Sequence, residues 1–527
     1  MKHSFIDITR APDSVLFQYE DSPIRFEEPF DKEVQTDKIG FDNGKITLFP
    51  TSRPVKRVKL RFRGDMSDVQ IVYGDDIARY LADSPWRTVL PQNVMWWYFH
   101  AFDGERLNSF GVKTGCAAFV SWQCDPFGIT LWLDVRNGGG GVTIKEPFVA
   151  AEIVCAEGTG NHFEDAKAFC AKMCEKPNLP EKPIFGVNNW YWAYGNISHE
   201  SVMDECDYLM DMCRDAVEKP HMIIDDGWQY NHYFSTNGTY NGGPWDKPNA
   251  EFESMAKTAD GIHEKGALAG IWFRPLLTCL QAPREAQSPV KPAGAGFFLD
   301  ATHPYTLEKV YEDAARIRGW GYDLIKHDFT TFDNFGYPPH ADSDFHFYDR
   351  TKTNAQMLVS LYKTIQDAAG GANVIGCNTV NHLAAGIHQC QRSGADTSGR
   401  SFEITRKNGV KCMVRLPQNN TFFAVDPDCA AFTERVSHEL NLDFLEMAAV
   451  TGVVTLASVI PHSLSAESMD RIRKIYRTAS LGGEGAIPEK YVGENIYSFF
   501  ITPEGKRYVY DWYREYDGVR SHYTWEN

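Results

Sequence analysis

The chain has 527 residues, 43% of them hydrophobic, and carries 53 basic against 70 acidic side chains for a formal charge of −17. That length suits a large catalytic domain with an accessory one. The negative charge excludes nucleic acid as an expected partner, because phosphate binding needs a basic surface, and it disfavours anionic lipid.

The start, Met1 to Asp7, has no apolar segment of the secretory type, and the most apolar later run, Ala448 to Ile460, is too short to span a bilayer. Twelve cysteines are scattered without metal-ligand spacing. Cys170 and Cys174 lie four apart on a predicted helix, but no second pair follows, so buried thiols in a reducing compartment are expected. These features predict a cytoplasmic protein with no membrane segment.

Residues 1 to about 160 read as β structure. Val55 to Phe62 alternates apolar and basic residues, and strands at Ala117–Trp122 and Ile129–Val135 flank the turn Asp125-Pro126-Phe127-Gly128. Gly138 to Gly141 reads as a flexible loop without the context of a phosphate cradle. A helix at Phe163–Cys174 leads to a proline-punctuated linker, Lys176 to Pro183. Strands and helices then alternate. The strands are expected at 184–187, 221–225, 267–273, 322–326, 373–377, 387–390, 421–425 and 452–457, and the helices at 199–216, 252–265, 306–319, 354–369 and 434–440. Eight strands with helical crossovers in about 280 residues suit a TIM barrel. One more helix, 467–481, precedes short strand-like runs. The expected division is an N-terminal antiparallel β-sandwich with linker helix (1–175), a (β/α)8 catalytic barrel (176–482) and a small C-terminal β region (483–527).

Polar or ionisable residues follow the predicted barrel strands. Ile223-Ile224 runs into Asp225-Asp226-Gly227-Trp228, Trp272-Phe273 into Arg274, Leu324-Ile325 into Lys326-His327-Asp328, Ile375-Gly376 into Cys377-Asn378, and Ala424-Val425 into Asp426-Pro427-Asp428. In a barrel these positions converge on the C-terminal face, where active sites sit. Lys326 and Asp328 are two apart, so they project to one side, and a cation there favours an ionised carboxylate. An ordinary strand-end ion pair has the same signature. Two adjacent aspartates repel unless they bind cations or accept hydrogen bonds. The loop Gln391 to Arg400 offers a second carboxylate, Asp396, among two arginines that count against a proton-donating role unless they face substrate.

Asp225-Asp226-Gly227-Trp228, Lys326-x-Asp328 and Arg392-x-x-x-Asp396, in this order, resemble glycoside hydrolase family 36, the α-galactosidase clan, from about residue 40 onward. Asn188-Asn189-Trp190-Tyr191-Trp192 and Gly243-Pro244-Trp245 add to the resemblance. It implies a sandwich, a catalytic barrel and a small C-terminal β domain. Asp328 would be the nucleophile and Asp396 the general acid/base. Asp225 and Asp226 would hold sugar hydroxyls, Lys326 would bind substrate, and Arg392 would lie by the acid/base. Trp190, Trp228 and Trp245 would wall the sugar subsite, each as readily a core residue, with Arg274 and Asn378 as further contacts. His327 stands where members typically have Trp, and the acid/base loop reads Ser-Gly-Ala-Asp-Thr-Ser. By alternation His327 faces away from the pocket.

The resemblance implies retaining hydrolysis of terminal α-galactosides through a covalent glycosyl-enzyme, with the carboxyl groups about 5–5.5 Å apart. An oligosaccharide or glycoside is the expected partner, and a homo-oligomer is compatible with the family. No metal or organic cofactor is required. The tract His340 to His346 has ligand-type residues but no coordination spacing, and reads as a solvated loop. Alternatives are an α-N-acetylgalactosaminidase, a raffinose-synthase-like α-galactosyl transferase, an α-glucoside-cleaving enzyme and an inactive sugar-binding protein. Asn196, Asn237 and Asn419 match the glycosylation acceptor pattern by chance.

Overall fold

The computed structural model describes residues 5–21, 37–78, 85–230, 242–292, 296–336 and 344–514. Asn237 and residues 340–343 of the His340–His346 tract lie outside these. The N-terminal part is an antiparallel, sandwich-like sheet of eleven strands. Its alternating strand Val55–Arg63 pairs with Ser14–Tyr19 on one side and Gly128–Asp134 on the other. The hairpin Phe119–Asp125/Gly128–Asp134 turns at Gly128, where φ is +141° and a Cβ would meet the Phe62 carbonyl oxygen at 2.1 Å. Met95–Phe102 and Leu107–Val112 are buried on both faces, against the sheet's own core and against the barrel. Phe99 stacks on Phe110 within the sandwich, while Trp97 stacks on His382 of the barrel at 5.1 Å.

Helix His162–Met173 leads into the barrel strands. These are Phe185–Asn188, His221–Ile224, Leu268–Phe273, Leu324–His327, Asn373–Gly376, Cys390–Arg392, Ala424–Asp426 and Thr455–Val459, paired in parallel. Closure comes from one segment. Ala424–Asp426 pairs with the sixth strand, and the chain continues at once into Cys429–Phe432, which pairs with the eighth. Between them Asp428 takes φ +75°. The outer helices carry side-chain caps that satisfy their first backbone donors: Ser198 for His199–Met212, Thr353 for Asn354–Ala369 and Ser465 for Ala466–Ser480. A three-stranded antiparallel sheet, Ile487–Pro488, Phe499–Ile501 and Arg507–Val509, follows the last helix. Among the described residues no helix is long and apolar enough to cross a membrane.

The expected flexible loop at Gly138–Gly141 is instead a buried joint between sandwich and barrel. Asn137 Nδ2 donates to the carbonyls of Asp349 (3.0 Å) and Lys352 (2.8 Å), and Gly138 exchanges hydrogen bonds with the Asn354 side chain. A Cβ on Gly140 would collide with His346 at 1.8 Å, so the glycines permit close approach rather than motion.

Candidate active site

The barrel interior explains why charges gather at its mouth. Its apolar filling includes Ile223, Leu324, Ile375, Cys390 and Ala424, one from each of five strands. Strand side chains repeat every two residues, so the next layer toward the C-terminal end is Asp225, Lys326, Cys377, Arg392 and Asp426. Trp272 is aligned with Lys326 and joins that layer from the third strand.

Asp225 is the hub of one half. Its Oδ2 accepts from Lys326 Nζ at 2.6 Å and from Asn188 Nδ2 at 2.7 Å, while its backbone N–H donates to Asn189 Oδ1 at 2.9 Å. Burial opposes the Lys326 charge, but the negative charge of Asp225 outweighs it and holds the ammonium well above its ordinary pKa. Asp226 accepts from Gln229 Nε2 at 2.6 Å. The adjacent aspartates are thus held by a lysine and an amide.

Asp328 is the first residue past the fourth strand. Its N–H continues the ladder to the Phe273 carbonyl at 3.1 Å. Oδ1 accepts from the Phe329 N–H at 2.7 Å and Oδ2 from Trp272 Nε1 at 3.3 Å. Phe329 sits at φ +64°, a strained region for a bulky residue that aims its N–H at the carboxylate. Arg274 holds it there: the guanidinium lies 3.9 Å over the Phe329 ring and forks onto Asp333 at 2.7 and 2.9 Å. Burial pushes Asp333 up to about 6, against the pull of Arg274. His327 faces the helices, 3.0 Å from His388 Nε2 and against Tyr362. Burial lowers both imidazoles.

The other half is built on Arg392. One nitrogen, Nη2, reaches Asp428 Oδ2 at 2.6 Å and Asp396 Oδ1 at 3.0 Å. Asp428 also accepts from the Thr397 N–H at 2.8 Å and from the Tyr191 hydroxyl. Burial raises Asp426, which accepts from the Asp428 N–H at 2.8 Å. The Asp396 side chain is 56% exposed, at the same barrel end as Asp328 because both strands run in parallel.

Three sequence expectations change. Trp228 is fully buried (0%), donates to the Trp272 carbonyl at 2.8 Å and packs on Trp245 and Trp320, so it cannot wall a sugar site. Trp245 is only 3% exposed and packs on Trp272 and Phe273. Asn378, 0% exposed, receives Thr330 Oγ1, Thr331 Oγ1 and the Phe332 N–H, fixing the loop behind Asp328 rather than touching substrate. Trp190 is half-buried at the mouth, edge-on to Tyr194. Trp272, Tyr191 and Asp428 lie inside the quoted stretches, yet the sequence pattern assigns none of them a role. Their signal was the two-residue layer spacing and the break after the seventh strand.

No family model and no curated protein sequence matches the chain. Solved structures do. An α-galactosidase from Thermus thermophilus, in complex with p-nitrophenyl α-D-galactopyranoside, superimposes with a TM-score of 0.60 at 17% identity, over 90% of this chain and 95% of that one. The GH36 α-galactosidase AgaA of Geobacillus stearothermophilus gives 0.59 at 12%, over 88% and 70%. An α-galactosidase from Lactobacillus brevis gives 0.61 at 13%, over 87% and 67%. The chain has the fold of the GH36 α-galactosidases through most of its length.

Proposed function

We propose that this protein is a retaining glycoside hydrolase acting on terminal α-galactosides. The observation that carries the reading is the contrast between two aspartates at one barrel mouth. Asp328 is nearly buried, with a donor on each oxygen, which suits a carboxylate held in one orientation to attack carbon. Asp396 stands on an otherwise buried loop with its side chain 56% exposed beside Arg392, accessible to a leaving group and to water. In the first step an Asp328 oxygen forms a bond to the anomeric carbon as the glycosidic bond breaks, and Asp396 gives its proton to the departing oxygen. In the second, Asp396 takes a proton from water, which displaces Asp328. In this reading Asp225 and Asp226 accept from sugar hydroxyls, and the Lys326 ion pair with Asp225 supports it.

Solved structures of this fold that carry stachyose and raffinose support an oligosaccharide ligand. A panel of aryl α-glycosides (galactoside, N-acetylgalactosaminide, glucoside), with the first-formed anomer followed by NMR, tests sugar and stereochemistry together. The galactoside is expected to turn over fastest and release α-galactose first. A β-anomer released first would mean inversion, and silence across the panel would indicate a binding protein.

A further inference from the structure

The sandwich reaches the acid/base loop through a buried ion pair between residues 340 positions apart. Asp75 ends the strand Ile71–Asp75, where the register shifts between Gly74 and Asp75. Such irregularities re-aim a side chain out of its ladder. Its Oδ1 accepts from Arg415 Nε at 2.6 Å and its Oδ2 from Gln418 Nε2 at 2.7 Å, and Gln418 Nε2 also donates to the Tyr98 hydroxyl of the sandwich at 2.8 Å. Both charged side chains are buried.

Arg415 and Gln418 belong to the helical segment 406–418, which cradles the loop carrying Asp396. Arg415 Nη1 donates to the Ser393 carbonyl at 2.9 Å, and Asn408 Nδ2 donates to the carbonyl of Asp396 itself at 2.6 Å. Ser393 is also fixed from the other side, its N–H and hydroxyl both reaching the Asp426 carbonyl. Gly394 packs so tightly on this segment that a Cβ would lie 2.0 Å from the Asn408 oxygen. The backbone on both sides of Ala395 is therefore held by a segment whose own anchor is a sandwich carboxylate.

We propose that Asp75, acting through Arg415, is a positioning residue for the acid/base: the accessory domain fixes the loop from which Asp396 reaches the leaving oxygen. This rests on the assignment of Asp396 above. A buried pair of full charges in a low-dielectric joint is directional and leaves the loop little freedom, as proton transfer in flight requires.

The test compares Asp75→Asn and Asp396→Asn in the full chain. It uses kcat/KM on aryl α-galactosides from dinitrophenyl to phenyl, normalised to active enzyme by titration with a mechanism-based inactivator. Activated leaving groups need no acid, whereas phenol does. Asp396→Asn is expected to steepen the leaving-group dependence. Asp75→Asn is expected to do the same in weaker form, losing about tenfold or more on the phenyl substrate and only about twofold on the dinitrophenyl one. Arg415→Lys, which keeps the charge but loses the fork, is the second variant should Asp75→Asn not fold, with the same expectation. An unchanged leaving-group slope in a folded Asp75 or Arg415 variant, with or without a uniform loss, overturns the positioning role while leaving Asp396 in place. An unchanged slope in Asp396→Asn overturns the acid/base assignment and this proposal with it.

Discussion

Lys326 and Asp225 form a 2.6 Å ion pair that ties the fourth barrel strand to the end of the second. Both side chains are buried, and the Asn188 amide completes the same carboxylate oxygen. Removing either partner strands a charge in the barrel mouth, which costs about 3–5 kcal/mol. Lys326→Met and Asp225→Asn should each lower stability and kcat/KM steeply. The double variant should lose less than the sum, with a coupling of about 1–3 kcal/mol in a denaturation cycle. Additive losses would show that the two groups act independently.

Asp428 gathers three donors, from Arg392, Thr397 and Tyr191, on one oxygen. Asp428→Asn leaves the buried Arg392 guanidinium short of an anion and is expected to destabilise the fold by about 3 kcal/mol. Arg392 would then act on Asp396 without the competing Asp428 charge, so the Asp396 carboxyl of the variant should titrate lower than that of the native protein. The alkaline limb of the kcat/KM profile should move to lower pH, since a general acid must be protonated to act. A limb that stays in place would separate Asp428 from the acid/base.

Glu205 offers a stability test that does not involve substrate. Burial pushes its carboxyl up to about 8 from an ordinary 4.5, against a 3.0 Å hydrogen bond from Trp192 Nε1. Between those values the folded protein keeps a proton that the unfolded chain releases, so this group makes stability fall as pH rises from about 4.5 to 8. Glu205→Gln is neutral throughout. Its stability relative to the native protein should therefore climb by about 1.4 kcal/mol per pH unit across that window, read from urea midpoints at pH 5 to 8. A gap independent of pH would mean that Glu205 is not held neutral.

Trp228 separates the structure from the sequence reading of the subsite. Trp228→Phe removes the hydrogen bond to the Trp272 carbonyl and loosens the cluster with Trp245 and Trp320. A loss of about 1–3 kcal/mol is expected, with KM for an aryl galactoside unmoved. A rise in KM at constant kcat would return the ring to the sugar.

Much of the barrel was legible because apolar runs ending in charges mark the mouth of each strand. The first five strands fall within about two residues of expectation, as do the helices Asn354–Ala369 and Ala466–Ser480. The last three strands, Cys390–Arg392, Ala424–Asp426 and Thr455–Val459, begin three residues later than the sequence pattern predicts and end one or two later. Their polar ends, Arg392 and Asp426, are strand residues in the buried mouth layer, so polarity alone placed the boundary too early. Where helix His438–Thr451 forms, the sequence pattern predicts only the short segment 434–440, because the helix is buried nearly all round and shows no amphipathic period. Likewise, Trp228 and Asn378 carry residue types suited to a sugar site, and only burial shows that they hold other residues in place. The joint at Gly138–Gly141 depends on contacts with residues 345–354, a separation no local pattern reports.

The most direct measurement is the identity of the residue that becomes glycosylated. Incubation with a slow fluorinated α-galactosyl fluoride, followed by proteolysis and peptide mass spectrometry, should place a single sugar on the peptide containing Asp328, and Asp328→Ala should abolish the adduct. A label on another carboxylate, or turnover without any covalent adduct, would contradict the account.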